Sequence, residues 1–417
     1  MPQPRNTHYL LALALLCAAT GASGASLTVA QAGVSAPIPA DFKECLARLR
    51  PEATGKGVNG TVFDAHTASL APDMAVIGFL DAQPEFVTPV WDYLAGLVDD
   101  ERVADGRARL GEWSDLLRQV ESRFGVDKEA VVAVWGVESN FGRNFGKRPL
   151  MESLSTLSCY GRRQTYFRGE LINTLKIIQN GDVDPEKLKG SWAGAFGHTQ
   201  FMPSTFLKLA VDHDGDGRRD LVDSVPDALA STANFLQRAG WRTGQPWGFE
   251  VKLPPGFSDA GTGRRNRKAT SAWADRGLVR IDGSPLVQSP VQSDTPAAVL
   301  LPAGTQGPAF LVTSNFNAIF SYNASESYAL AIAHLSDRLR GGKPFVTPWP
   351  TDDPGLSRAE RRELQTLLIA QGHDIGEADG MIGSRTREAL KSALAAKGIE
   401  SSDGRAGRRA LDALRRR

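Results

Sequence analysis

Residues 127–142 read DKEAVVAVWGVESNFG. From Ala130 to Val137 no side chain is charged, so a helix over this stretch is apolar on nearly every face and has to be buried. Asp127 is placed to cap its start and Gly142 to stop it. A single acid, Glu138, stands in the last turn. Burial disfavours its charged form and the negative end of the helix dipole adds to this, so the sequence predicts a carboxyl that keeps its proton near neutral pH. Such a group is what protonation of a glycosidic oxygen requires. The bland alternative is a glutamate swung out to solvent or bonded to nearby backbone amides.

Outward from this helix, helical spacing dominates residues 41–341. DFKECLARLR (41–50) puts Phe42, Cys45, Leu46 and Leu49 on one face, and WSDLLRQVESRFG (113–125) ends on Gly125 as a helix should. Between 245 and 315 the texture changes to short apolar runs, FEVKL, GLVRI, AAVLL and AFLVT, parted by Gly, Pro and Asp. A small β element is expected there. GGKPFVTPWPTDDPG (341–355) is rich in proline and glycine and has no periodicity, which reads as a linker. Beyond it, DGMIGSRTREAL (379–390) and DGRAGRRALDAL (403–414) echo one another: an Asp-Gly turn, a second Gly, then an amphipathic helix. With RAERRELQTLLIAQG (358–372) they form a three-helix bundle with little room for a catalytic cavity, so a binding module is expected. The fold class is therefore mainly α: a helical domain over 38–340, a linker over 341–355 and a bundle over 356–415.

The N-terminus has the layout of a secretory signal: Arg5, then YLLALALLCAA (9–19), then small residues with AQA ending at Ala32 and ASG ending at Gly24 as cleavage sites. A cleavable signal over 1–32 implies a periplasmic protein without a membrane span, because the apolar run is too short to cross a bilayer. Cys17 follows two leucines, which argues against a lipoprotein. Cys45 and Cys159 remain, free to pair in an oxidising compartment or to sit as two separate buried thiols. A net charge of +1 argues against a nucleic-acid binder driven by bulk electrostatics. A monomer is the default expectation.

GSWAGAFGHTQFMPSTF (190–206) is a Gly/Ala-rich loop in which Gln200 offers an amide, running into a helix with Pro203 near its start. WGVESNFG (135–142), GAFGHTQFMPST (194–205), SCYGRRQTYFRGEL (158–171) and SYNASESYALAIAHL (321–335) together resemble, in order and spacing, the lytic murein transglycosylase B family. The tail resembles the peptidoglycan-binding type 1 module, although KSALAAKG (391–398) replaces its usual aromatic and glutamine. The resemblance implies a lysozyme-like domain that cleaves between N-acetylmuramic acid and N-acetylglucosamine with Glu138 alone, first as acid and then as base. The muramic acid 6-hydroxyl would attack, leaving a 1,6-anhydro sugar and needing no catalytic cofactor. Carried over by position, Arg162 and Arg163 are expected on the stem peptide, where paired guanidinium groups suit carboxylates. Ser191, Gln200, Tyr322, Asn323 and Tyr328 are expected along the saccharide groove. The partners so implied are glycan strands and their stem peptides. The competing readings are a muramidase-type hydrolase and a non-catalytic wall-binding protein.

DHDGDGRRDLVD (212–223) has EF-hand ligand spacing, with Gly217 at the sharp turn. The expected ligands of a structural calcium ion are Asp212, Asp214, Asp216, the Arg218 carbonyl and Asp223. Asp223 is shorter than the usual closing glutamate, and Asp227 is the alternative.

Overall fold

The computed structural model describes residues 42–81, 88–401 and 403–416. The signal expected over 1–32 lies outside them, and among the described residues no helix is long and apolar enough to cross a membrane.

The helix Lys128–Ser139 is the hub of the larger domain. Its residues Ala130–Gly136 are all buried, as an all-round apolar helix must be. The helices Asp100–Glu112, Ser114–Phe124, Val225–Arg238 and Glu326–Leu339 pack around it. Both of its ends differ from expectation. The Asp127 side chain makes no cap bond and instead accepts from Arg340 Nη2 at 2.8 Å. The helix stops at Asn140 (φ 52°), two residues before Gly142. Asparagine tolerates the left-handed conformation, and the Asn140 and Phe141 N–H groups bond back to Gly136 and Trp135.

The β element consists of β1 (Arg148–Pro149) paired with β2 (Lys189–Gly190), and of an antiparallel sheet. That sheet holds β3 (Gly248–Lys252), β4 (Lys268–Ala269), β5 (Val279–Arg280), β6 (Pro296–Leu300) and β7 (Ala309–Val312), in the order β4-β6-β7-β3-β5. Alternation explains the unbroken apolar runs. Phe310 and Val312 face the helical core, whereas Ala309 and Leu311 face a second small core built around Trp273.

Cys45 and Cys159 are joined, Cα to Cα 5.9 Å, which ties the helix Phe42–Gly55 to Leu150–Cys159. In the tail, the helices Arg358–Ala370, Ser384–Ala395 and Arg408–Arg415 enclose Leu364, Leu368, Leu390, Leu394, Leu411 and Leu414. Ser357 and Glu360 form a reciprocal capping box that starts the first of these helices. The segment 341–355 is mostly exposed but is fastened at residues 345–347. Glu250 accepts from the backbones of Val346 and Thr347, each at 2.7 Å, and Phe345 stacks on His334 at 3.7 Å.

Candidate active site

Glu138 sits half-buried one residue before the end of its helix. Tyr328, 2% exposed in the first turn of the helix Glu326–Leu339, donates its hydroxyl to Glu138 Oε1. Tyr322, at the end of the helix Ser314–Asn323, stacks on Tyr328 at 6.3 Å and donates to the Thr199 carbonyl at 2.7 Å. Burial, and then the Glu138 charge, push both phenols well above their ordinary value. They therefore stay protonated donors throughout the range in which the protein works. The left-handed Ala324 (φ 50°) and the Ser325 cap form the corner that turns the two tyrosines together.

The loop after β2 closes the site from another side. Ser139 Oγ donates to the His198 carbonyl at 2.6 Å, and Trp135 Nε1 donates to His198 Nδ1 at 3.0 Å. The loop is thereby fastened to the Glu138 helix. Burial pushes the His198 imidazole down to about 4, so it is neutral and able to accept that bond. Gln200 has φ 49°, and its amide nitrogen donates to the Phe145 and Gly197 carbonyls at 3.1 and 2.9 Å. The amide oxygen is the atom this arrangement leaves to accept a further hydrogen bond. Ser191 Oγ accepts from the Ala195 N–H at 3.0 Å, which shapes the loop and leaves the hydroxyl proton to donate. Small residues are required here, because a Cβ on Gly190 would lie 2.0 Å from the Ala195 carbonyl oxygen.

Of the expected residues, Glu138, Tyr328 and Tyr322 form one constellation, and the Tyr322 bond to Thr199 brings Gln200 beside it. Asn323 is exposed next to Tyr322. Arg162 and Arg163 are both exposed at the start of the helix Gln164–Asn180. Arg162 Nη2 donates to the Leu80 carbonyl at 2.6 Å, and Arg163 lies over the Tyr166 ring at 4.6 Å. Trp135, Phe141 and Phe201 are core residues, 2%, 3% and 1% exposed. Tyr93, in the helix Val90–Leu97, was missed by sequence reasoning; the fold brings it near Tyr328. In the sequence it is only one partly buried position of an amphipathic helix, with nothing to link it to a residue far along the chain.

The acidic loop departs from its expected ligand set. The carboxylates of Asp212, Asp214 and Asp227 come within 4.8 Å of one another, whereas Asp223 pairs with Lys187 at 2.7 Å. Asp216 Oδ1 is engaged by the Arg218 N–H at 2.8 Å. Asp227 replaces Asp223 because it sits in the first turn of the next helix, fully buried. Its two oxygens accept the His213 and Asp220 N–H groups at 2.7 and 2.8 Å. Burial raises the Asp227 carboxyl, and the Asp214 charge adds to this. Three oxygen donors with that mutual repulsion fit a hard divalent cation.

The transglycosylase SLT domain family matches residues 41–337, the stretch that carries Glu138, both tyrosines and the closing loop. The chain belongs to this family. A peptidoglycan binding domain matches residues 357–414 of this transglycosylase. The membrane-bound lytic murein transglycosylase B of Escherichia coli is 34% identical over 279 residues, covering 65% of this chain and 70% of that protein. SltB3 from Pseudomonas aeruginosa, solved in complex with NAG-anhNAM-pentapeptide, superposes with a TM-score of 0.73 at 45% identity, covering 90% of this chain and 100% of that one. The Escherichia coli lytic transglycosylase Slt35, solved in complex with calcium, gives a TM-score of 0.62 at 30% identity over 71% of this chain and 92% of that one.

Proposed function

We propose that this transglycosylase cleaves the β-1,4 bond between N-acetylmuramic acid and N-acetylglucosamine in peptidoglycan, with Glu138 as both acid and base. The observation that carries the reading is the Glu138 carboxyl oriented by the hydroxyl of the buried Tyr328, with the half-buried Tyr322 stacked on that ring. Glu138 gives its proton to the bridging oxygen as the bond to the muramic acid anomeric carbon breaks. As a carboxylate it then takes the proton of the same sugar's 6-hydroxyl, whose oxygen closes on that carbon. The product is the 1,6-anhydro sugar. The nucleophile is already tethered to the reacting ring, so no water has to be held in place. A hydrolase of the ordinary kind needs a second carboxylate to attack or to activate water.

Ser191, Gln200, Tyr322 and Asn323 line the saccharide path in this reading, and Arg162 and Arg163 meet the stem-peptide carboxylates. Residues 38–340 form the catalytic domain, 341–355 the connection and 356–415 the wall-binding module. A calcium ion held by Asp212, Asp214 and Asp227 supplies no chemistry; it braces the loop that leads into the helix Val225–Arg238. The calcium-bound relative supports this assignment. Residues 1–32 act as the export signal to the periplasm, where the chain works as a monomer.

Digestion of purified sacculi, with mass spectrometry of the released muropeptides, is the test. Anhydro-muramic ends that vanish in Glu138→Gln are expected, and reducing ends in their place would refute the single-acid reading.

A further inference from the structure

Arg358 opens the first helix of the tail bundle, yet its side chain points into the larger domain and is only 11% exposed. Its backbone N–H donates to Asp99 Oδ2 at 3.0 Å. Its Nε and Nη2 reach Glu101 Oε2 and Asp105 Oδ2, each at 3.3 Å, and Nη1 donates to Asn140 Oδ1 at 2.8 Å. Asn140 is the left-handed residue that ends the Glu138 helix. The acids that hold Arg358 are themselves tied to that helix end. Asp99 caps the helix Asp100–Glu112, whose buried Arg102 donates to the Gly136 carbonyl. Asp105 also holds Arg143 at 2.6 Å, just past the helix end. Two guanidinium groups, one from each domain, thus grip the last turn of the helix that presents Glu138.

The grip acts at a left-handed turn of the backbone. Asn140 and Phe141 are consecutive non-glycine residues at φ 52° and 58°, a conformation that persists only when its surroundings enforce it. The rest of the tail is fastened to match. Arg405 binds Asp92 through two nitrogens, both at 2.7 Å, and Arg362 binds Glu101 at 2.7 Å. Bidentate charged pairs of this kind fix orientation as well as distance.

We propose that Arg358 is a positioning residue for the transglycosylase reaction. By holding the Asn140 cap it sets where the Glu138 carboxyl stands, so the C-terminal module contributes to the chemical step and not to wall binding alone. This rests on Glu138 being the acid.

The test uses the full chain and a soluble muropeptide of two disaccharide units, with kcat and KM measured for Arg358→Ala, Arg358→Lys, Asn140→Gly and the double variant Arg358→Ala/Asn140→Gly. Glycine adopts the left-handed conformation without strain, so Asn140→Gly keeps the helix end while removing the amide. Arg358→Ala and Asn140→Gly are each expected to lower kcat about tenfold with KM within about twofold, because small misplacement of an acid is costly in rate. The double variant is expected to be no slower than Arg358→Ala, since both changes break one contact. Arg358→Lys, which keeps the charge without the fork, is expected to recover only part of the loss. A kcat for Asn140→Gly within about twofold of the parent, or losses that multiply in the double variant, would overturn the proposal. An inactive Glu138→Gln beside an unaffected Asn140→Gly would sink the grip and leave the catalytic reading standing.

Discussion

Tyr328→Phe isolates what one hydroxyl does for Glu138. The ring is 2% exposed and stacked on Tyr322, so phenylalanine keeps the packing and removes only the donor to Glu138 Oε1. The substrate-free enzyme loses an orientation bond. As the proton leaves for the glycosidic oxygen, the enzyme also loses stabilisation of the carboxylate that forms. A hydrogen bond to a charged group is worth about 1.5–3 kcal/mol, and at 1.4 kcal/mol per decade this predicts a fall in kcat of about 10–100-fold. KM is expected to stay within about threefold, because the bond strengthens with charge that develops only on the way to the transition state. The assay is release of anhydro-muropeptides from a soluble fragment, with thermal unfolding as the check on folding. Tyr322→Phe is the control: its hydroxyl binds the neutral Thr199 carbonyl, a bond worth about 1 kcal/mol, so a smaller loss is expected. A folded Tyr328→Phe enzyme with kcat within about twofold of the parent would refute the argument.

Other perturbations follow from the same structure. Reducing the Cys45–Cys159 bond, or replacing both cysteines by serine, opens a loop with a sequence separation of 114 and is expected to cost about 5 kcal/mol in urea unfolding. A loss under about 1 kcal/mol would show that packing alone holds the two helices together. Saturating calcium is expected to stabilise the parent by about 2–3 kcal/mol, Asp227→Asn to abolish that gain and Asp223→Asn to retain it. The opposite pattern would return Asp223 to the ligand set. His334, 6% exposed, is pushed down to about 3 by burial, so the unfolded chain binds more protons than the folded one below its ordinary value. Its neutral form is fully stabilising above about pH 6.5, and about 2–3 kcal/mol is lost on going from neutral pH to about pH 4.5. His334→Gln should flatten that acid limb in denaturant titrations; an unchanged limb would assign the loss to other groups.

What the sequence determined by itself was whatever near neighbours decide. The apolar run before Glu138 required a buried helix whatever surrounded it, and the four short runs between 245 and 315 became β3, β5, β6 and β7. Each Asp-Gly turn of the tail leads into its amphipathic helix, as the echo in the sequence predicts. Glu138, Gln200 and the two tyrosines could be named because they lie in contiguous motifs.

Only the tertiary structure decided which groups meet across long loops. Asp223 has the spacing of a metal ligand, yet it turns to Lys187, which no local rule places beside it. Asp127 has the composition of a helix cap, yet a charged hydrogen bond to Arg340 takes it. Tyr93 and Arg358 carry no signal of their own, and only chain closure sets one near Tyr328 and the other against Asn140. Local preference is settled within a few residues by backbone sterics and side-chain period, whereas the partner of a charge is settled by which distant surfaces the core draws together.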